Sequence, residues 1–159
     1  DMSELQTVSR DETIAVDALV DEVLVDLEPL AQEKEIKLIG NCKDTTMVGS
    51  DILIYRMVYN LVENAIKYNH FGGQVTVTAY RSGKNICLSV EDTGSGIPAE
   101  LKERIFEPFF RVDKSRSRQL GGVGLGLALV REIVRVHDGK ITVQSSPSGG
   151  TIFEVVFTQ

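Results

Sequence analysis

Val75-Thr-Val-Thr-Ala79-Tyr80-Arg-Ser-Gly83-Lys84-Asn-Ile86-Cys-Leu88-Ser-Val90-Glu-Asp92 is the stretch on which the fold class turns. Val75, Val77 and Ala79 alternate with Thr76, Thr78 and Tyr80, and Ile86, Leu88 and Val90 alternate with Cys87, Ser89 and Glu91. Apolar residues at every second position mark a strand with one buried face. Gly83-Lys84 between the two runs predicts a hairpin turn. Strands joined by a hairpin pair antiparallel, whereas a doubly wound parallel sheet needs a helical crossover at each step.

Working outward, Thr13–Val16 and Ile36–Cys42 predict strands, and Met47-Val48 a further short one. Asp17 predicts the cap of a helix whose apolar residues include Leu19, Val20, Val23, Leu24, Leu27 and Leu30. Ser50 or Asp51 predicts the start of a long helix reaching about Tyr68, with Gly72-Gly73 closing that region. Downstream, Pro98 opens a short helix. Val112–Gly122 is polar and basic and reads as a mobile loop, and Leu125 to about His137 reads as a helix. Lys140–Ser145 and Thr151–Phe157 read as a closing strand pair around Pro147-Ser148-Gly149-Gly150. The expected architecture is α+β, a two-layer sandwich whose mixed, mostly antiparallel sheet is covered on one face by helices. Asp1–Asp11 is polar without clear periodicity and reads as a linker, leaving 12–159 as the folded domain.

The 159 residues suffice for one domain with a real core. A formal charge of −6 argues against nonspecific nucleic-acid binding, which needs a basic face. It leaves room for a polyphosphate, because a local cluster of cations overrides the net sign. No apolar run approaches the roughly 20 residues that span a bilayer, so this domain is expected to make no membrane contact, and no secretory signal heads the chain. Cys42 and Cys87 read as buried thiols in a reducing compartment, with no sequence support for a disulfide.

Three further stretches carry candidate chemistry. On a helix of 3.6 residues per turn, Ile54, Met57, Val58, Leu61 and Ala65 share the core face. Asn60, Glu63, Asn64 and Lys67 fall on the opposite face at i, i+3, i+4 and i+7. A solvated face is the plain reading. Two mid-helix asparagines weaken it, since each is about half a kcal/mol worse than alanine there. An amide oxygen can ligate Mg²⁺ beside substrate phosphates, and Lys67 can meet phosphate oxygens.

Asp92 ends an apolar strand and leads into Thr93-Gly94-Ser95-Gly96-Ile97-Pro98. This is either a tight turn with an Asx hydrogen bond or a carboxylate placed to accept from an exocyclic amine such as that of adenine. The glycines would admit a flat ligand and Ile97 would supply an apolar wall. Gly121, Gly122, Gly124 and Gly126 crowd a helix start, at about 1 kcal/mol each if idle. They form either a flexible linker or a phosphate-facing helix entrance. Neither the Walker A spacing nor G-x-G-x-x-G is present. Arg111, Lys114, Arg116 and Arg118 precede them, either as a solvated loop or as lid cations that offset phosphate charge. Phe106, Phe109 and Phe110 would anchor the base of such a lid.

Asn60–Tyr68, Asp92–Pro98, Phe106–Arg111 and Gly122–Leu127 together resemble the N, G1, F and G2 boxes of the catalytic and ATP-binding domain of sensor histidine kinases. That domain belongs to the Bergerat-fold superfamily shared with gyrase, MutL and a heat-shock chaperone family. The resemblance runs from about Thr13 to the C-terminus. It implies ATP and Mg²⁺ as cofactors, a flexible ATP lid, and transfer of the γ-phosphoryl to a histidine outside this chain. Asn64 resembles the Mg²⁺ ligand, with Asn60 beside it. Lys67 and Tyr68 resemble residues at the phosphates and adenine. Asp92 resembles the adenine-reading carboxylate, with Gly94, Gly96 and Ile97 as its pocket. Arg111 and Lys114 resemble lid cations and, with Asn60, the catalytic set. Gly122, Gly124, Leu125 and Gly126 resemble the phosphate-side helix start, and Thr151 a residue supporting the adenine carboxylate.

Val123 stands where many members carry Ser or Thr. The phosphoacceptor segment is absent: His70 lies in a turn, and His137 lies near a helix C-terminus, where a partly charged imidazole is locally favourable. Both histidines therefore read as structural. The resemblance implies, as partners, histidine-bearing dimerisation helices of the same full-length protein and a response regulator. It implies a cytoplasmic domain of a membrane-anchored protein, with residues 1–11 as a linker or remnant of an upstream dimerisation helix. A hydrolysing ATPase of the gyrase type is the main alternative, but it needs a Glu where Asn60 stands, and Glu63 is not at the matching position. A serine kinase of the anti-sigma class shares the fold, and Phe106-Glu-Pro-Phe-Phe110-Arg111 favours the histidine-kinase branch. A non-catalytic nucleotide sensor is the fourth reading, against which the complete motif set argues.

Overall fold

The computed structural model describes residues 2–108, 110 and 126–159. A 3₁₀ segment Met2–Thr7 precedes β1 (Glu12–Ala15), α1 (Val16–Gln32), β2 (Lys37–Cys42) and β3 (Thr46–Gly49). Then come α2 (Asp51–Lys67), β4 (Gln74–Ser82) and β5 (Asn85–Asp92). Two short 3₁₀ turns, Ala99–Leu101 and Arg104–Phe106, lead towards α3 (Gly126–Val136), β6 (Lys140–Ser145) and β7 (Thr151–Thr158).

The main sheet has strand order β2-β4-β5-β7-β6, and β1 and β3 form a separate antiparallel pair. Only the β2–β4 contact is parallel; β3 and α2 lie between those two strands in the chain and supply the crossover that parallel pairing needs. The hairpin expected at Gly83-Lys84 pairs β4 with β5 in a register that sets Val77 opposite Val90 and Ala79 opposite Leu88. Gly83 adopts φ +62°, which a side chain would resist. β7 then sets Phe153 opposite Val90 and Val155 opposite Leu88. These residues face one way and are buried, while Thr76, Thr78, Ser89 and Glu154 on the other face are half-exposed.

α2 lies on the buried face. Ile54, Met57, Val58 and Leu61 are fully buried there, joined by Leu53, Val62, Ala65 and Ile66. Each of these except the smaller Ala65 contributes about 1.5–3 kcal/mol by leaving water, which holds the helix far more firmly than propensity does. Ser50 caps the helix through its side chain, which accepts from the Leu53 N–H at 3.3 Å. α1 and α3 flank α2, burying Leu19, Val20, Val23 and Leu27 on one side and Val130, Ile133 and Val134 on the other.

Several expectations shift. α1 begins at Val16, not after an Asp17 cap; Ala15 is the capping position and makes no side-chain cap bond. Burial of Val16, whose N–H donates to the Thr45 carbonyl at 2.8 Å, sets that start, and Asp17 sits in the first turn, where its charge suits the helix dipole. Within residues 1–11, Leu5 is buried against the core. Cys42 and Cys87 are half-buried rather than buried, and both are free thiols. They lie on β2 and β5 with β4 between them, roughly 10 Å apart by strand spacing. That exceeds the reach of a disulfide, about 7 Å between Cα atoms.

Candidate functional site

Six polar residues are buried among the described residues, and four of them, Asn69, Asp92, Ser146 and Thr151, gather where β5 ends. Buried polar groups are costly unless paired, so such a concentration marks a place with a purpose. Asp92 is 7% exposed. Its Oδ1 accepts from the Gly94 N–H at 2.8 Å and from the Thr151 N–H at 3.3 Å. No hydrogen bond reaches Oδ2 among the described residues. Burial pushes this carboxyl above its ordinary range, partly offset by the two backbone N–H groups. An aspartate with one oxygen fixed and the other unpaired is set to accept from an incoming donor.

The turn after Asp92 is pressed against the end of α2. A Cβ on Gly94 would lie 2.5 Å from the Tyr68 carbonyl and 3.2 Å from the Asn69 Cα, so only glycine fits. Gly96 has φ +77°, and a Cβ there would come within 2.7 Å of the Gly149 carbonyl in the β6–β7 turn. Ile97 is half-buried against the core. Ser146 accepts from the Gly150 N–H at 2.9 Å and closes that turn beneath Asp92.

Along α2, Asn60, Glu63, Asn64 and Lys67 are all half-exposed, and Tyr68 follows them at the C-terminal cap. Lys67 pairs with Glu63 at 3.8 Å. Asn60 donates its amide Nδ2 to the Arg56 carbonyl at 2.7 Å, a bond that does not use Oδ1. That oxygen lies 3.2 Å from where a Cβ on Gly126 would be, at the first turn of α3. The same helix face therefore reaches from the N-terminus of α3, at Asn60, to the Asp92 turn, at Tyr68. Eight residues of helix rise separate those ends, about 12 Å. Phe106 is buried edge-on against Phe153 at 6.2 Å, and Arg104 lies 4.6 Å from the centre of the Phe110 ring.

Arg111, Lys114, Gly122, Gly124 and Leu125 lie outside the described residues, as do Phe109, Arg116, Arg118, Gly121, Val123 and the expected loop between Val112 and Gly122. Among the described residues no three His, Cys, Asp or Glu side chains cluster as a metal site. The donors that α2 offers are instead neutral amide oxygens. They suit a hard cation that keeps waters and takes its remaining oxygens from phosphates.

His70 is exposed. His137 differs from expectation: it is held neutral. Its Nδ1 hydrogen-bonds the Ile133 carbonyl at 2.8 Å, and its Nε2 lies 3.0 Å from the Ser50 N–H and must accept it. Burial pushes its pKa down. The favourable dipole at the helix end is outweighed by a site that needs a lone pair.

Sequence reasoning did not single out Lys34, Asn69, Thr93 or Ser146. The Lys34 ammonium donates to the carbonyls of Ile66, Lys67 and Asn69 at 3.2, 2.9 and 2.8 Å, closing the C-terminus of α2 from more than 30 positions away. No local pattern marks such a contact.

Residues 49–159 match the family model of histidine kinase-, DNA gyrase B-, and HSP90-like ATPases. The sensor-like histidine kinase SenX3 of Mycobacterium tuberculosis is 40% identical over 141 residues, covering 88% of this chain and 34% of SenX3. The chain thus spans about a third of the length of the curated relatives it matches. The nucleotide-free catalytic domain of histidine kinase ThkA superposes with a TM-score of 0.84 at 28% identity, over 94% of this chain and 96% of that one. ThkA has also been solved with the response regulator protein TrrA (TM-score 0.78, 27% identity, 93% of this chain and 41% of that one). Full-length ShkA in complex with AMPPNP superposes with a TM-score of 0.81 at 25% identity, over 98% of this chain and 33% of that one.

Proposed function

The chain belongs to the histidine kinase-, DNA gyrase B- and HSP90-like ATPase family, as an ATP-binding domain of the sensor histidine kinase kind, and from that premise we propose how it works. ATP lies along the outer face of α2 with its base at Asp92 and its phosphates towards Asn60 and the start of α3. The observation that carries this is the single line of groups from Asp92 and Gly94, against Tyr68, to Asn60, against Gly126. Asp92 Oδ2 accepts from the adenine amino group. Thr151 and Gly94 hold the other oxygen. Gly96 and Ile97 line the base pocket.

Asn64 would hold Mg²⁺, with Asn60 beside it, and the ion when bound neutralises phosphate charge. Lys67, released from Glu63, meets phosphate oxygens, and the resemblance assigns Arg111 and Lys114 to the same phosphates. Gly126, at the first turn of α3, lies beside Asn60, and Gly122, Gly124 and Leu125 are assigned to the phosphates by the resemblance of their motif. A histidine nitrogen from outside this chain attacks the γ-phosphorus as the bond to the bridging oxygen breaks, and ADP leaves. That histidine sits on dimerisation helices of the same protein, and a response regulator receives the phosphoryl group next. The domain works in the cytoplasm and comprises residues 12–159 with Leu5 packed on its core, and residues 1–11 lead to it from those helices. No described helix is long and apolar enough to cross a membrane.

Asn60 favours transfer over hydrolysis, because an amide cannot take a proton from water as a carboxylate does. The test is incubation of the chain with γ-labelled ATP and a separate histidine-bearing helical hairpin. Acid-labile label on the hairpin is expected, with little free phosphate. Rapid phosphate release without labelling would overturn the reading in favour of a hydrolysing ATPase.

A further inference from the structure

Resting on that reading of the site, we infer that Asn69 and Thr93 are positioning residues. They set the spacing between the two halves of the nucleotide site without touching the nucleotide. Asn69 is 1% exposed and directly follows Tyr68 at the end of α2. Its Nδ2 donates to the Gln74 carbonyl at 3.0 Å. Its Oδ1 accepts from the His70 N–H at 2.8 Å and from the Thr93 hydroxyl at 3.0 Å. The Thr93 hydroxyl in turn accepts from the Gln74 N–H at 3.0 Å. One closed ring of side-chain bonds therefore joins the end of α2, the start of β4 and the residue next to Asp92.

The ring leaves no slack. A Cβ on Gly73 would fall 2.4 Å from Asn69 Oδ1 and 2.6 Å from Thr93 Oγ1. On its other side, the Asn69 backbone carbonyl is gripped by the Lys34 ammonium at 2.8 Å. The groups assigned to phosphate and metal ride on α2, and the group assigned to the base rides on β5. Sequence separates these elements by a loop, a strand and a turn, and the polar ring adds to the apolar packing of α2 on the sheet a directional contact at the end of the helix nearest Asp92. The Asn69–Thr93 bond crosses that seam beside Asp92. ATP binds both halves at once and gains from their correct spacing; a ligand that reaches one half does not.

Thr93→Val removes the hydroxyl at constant shape, and Thr93→Ser restores it. Affinities of the 159-residue chain are measured for Mg-ATP by calorimetry, and for adenosine and magnesium tripolyphosphate by NMR titration. With Thr93→Val, we expect ATP to weaken about tenfold, equivalent to about 1.4 kcal/mol of lost alignment. Adenosine and tripolyphosphate should each stay within about twofold, and Thr93→Ser should recover ATP affinity. Asn69→Ser, which shortens the bridge, should show the same split. Equal losses for ATP and adenosine would overturn the inference by making Thr93 a local base-pocket residue. Unchanged ATP affinity in a folded Thr93→Val chain would also overturn it. Failure of the unaltered chain to bind ATP would instead sink the reading of the site.

Discussion

Asp92→Asn tests the site at its most constrained point. The substitution keeps size and shape. The amide oxygen can still accept from the Gly94 and Thr151 N–H groups, which lie 2.8 and 3.3 Å from Oδ1 in the parent chain. Folding should survive. Burial pushes the Asp92 carboxyl above its usual range, so its ionisation opposes folding, and a neutral amide relieves that opposition. Binding should not survive. The second oxygen becomes an NH₂ group, and a donor then faces the amino group of adenine. The charge-assisted bond is lost, at about 1.5–3 kcal/mol, and donors left unpaired in a largely buried site cost about 1–3 kcal/mol more. A central value of roughly 3–4 kcal/mol corresponds to about a 10²- to 10³-fold weaker Kd for ATP. The same substitution makes an opposite forecast for inosine triphosphate, whose ring carries a carbonyl in place of the amino group. That ligand should lose far less, or gain. Calorimetry with both nucleotides, with thermal denaturation to confirm folding, reads the result. An ATP affinity within threefold of the parent in a folded variant would refute the assignment of Asp92 to the base.

Leu61→Ala removes a fully buried side chain from the core face of α2 and should cost about 2–5 kcal/mol, read as a lowered urea midpoint. A loss under about 1 kcal/mol would mean that α2 does not pack as described. His137 supplies a pH dependence. Its folded pKa is lowered from the ordinary 6.5, so the unfolded chain binds the proton more readily. The stability it contributes is complete above about pH 6.5 and drains away as pH falls below that value towards the lower folded pKa. Urea titrations of the chain and of His137→Phe at pH 8 and pH 5.5 should show a smaller acid loss for the variant. Equal losses would show that the imidazole is not held neutral between Ile133 and Ser50.

Much of the fold was legible because the relevant signals are local. Alternation in Val75–Val90 revealed two strands and their hairpin, and the 3.6-residue pattern of Ile54, Met57, Val58, Leu61 and Ala65 revealed the buried stripe of α2. Errors arose where a local signal competed with packing. Asp17 is a good capping residue in isolation, but burial of Val16 moved the helix start ahead of it. His137 sits at a helix end that favours charge, but its surroundings require a lone pair. The cysteines lie in apolar-looking runs, but the sheet leaves both half-buried.

Periodicity and glycine placement act over a few bonds, so the chain itself specifies its helices and strands and nominates Asp92 and the asparagines of α2 as chemically unusual. Which groups meet is decided across dozens of residues. Lys34 reaches the end of α2, the Thr151 N–H reaches Asp92 from β7, and Asn60 abuts Gly126. Contacts of that span depend on sheet order and helix packing, which arise only when the hydrophobic faces close on one another; no short window of residues encodes them.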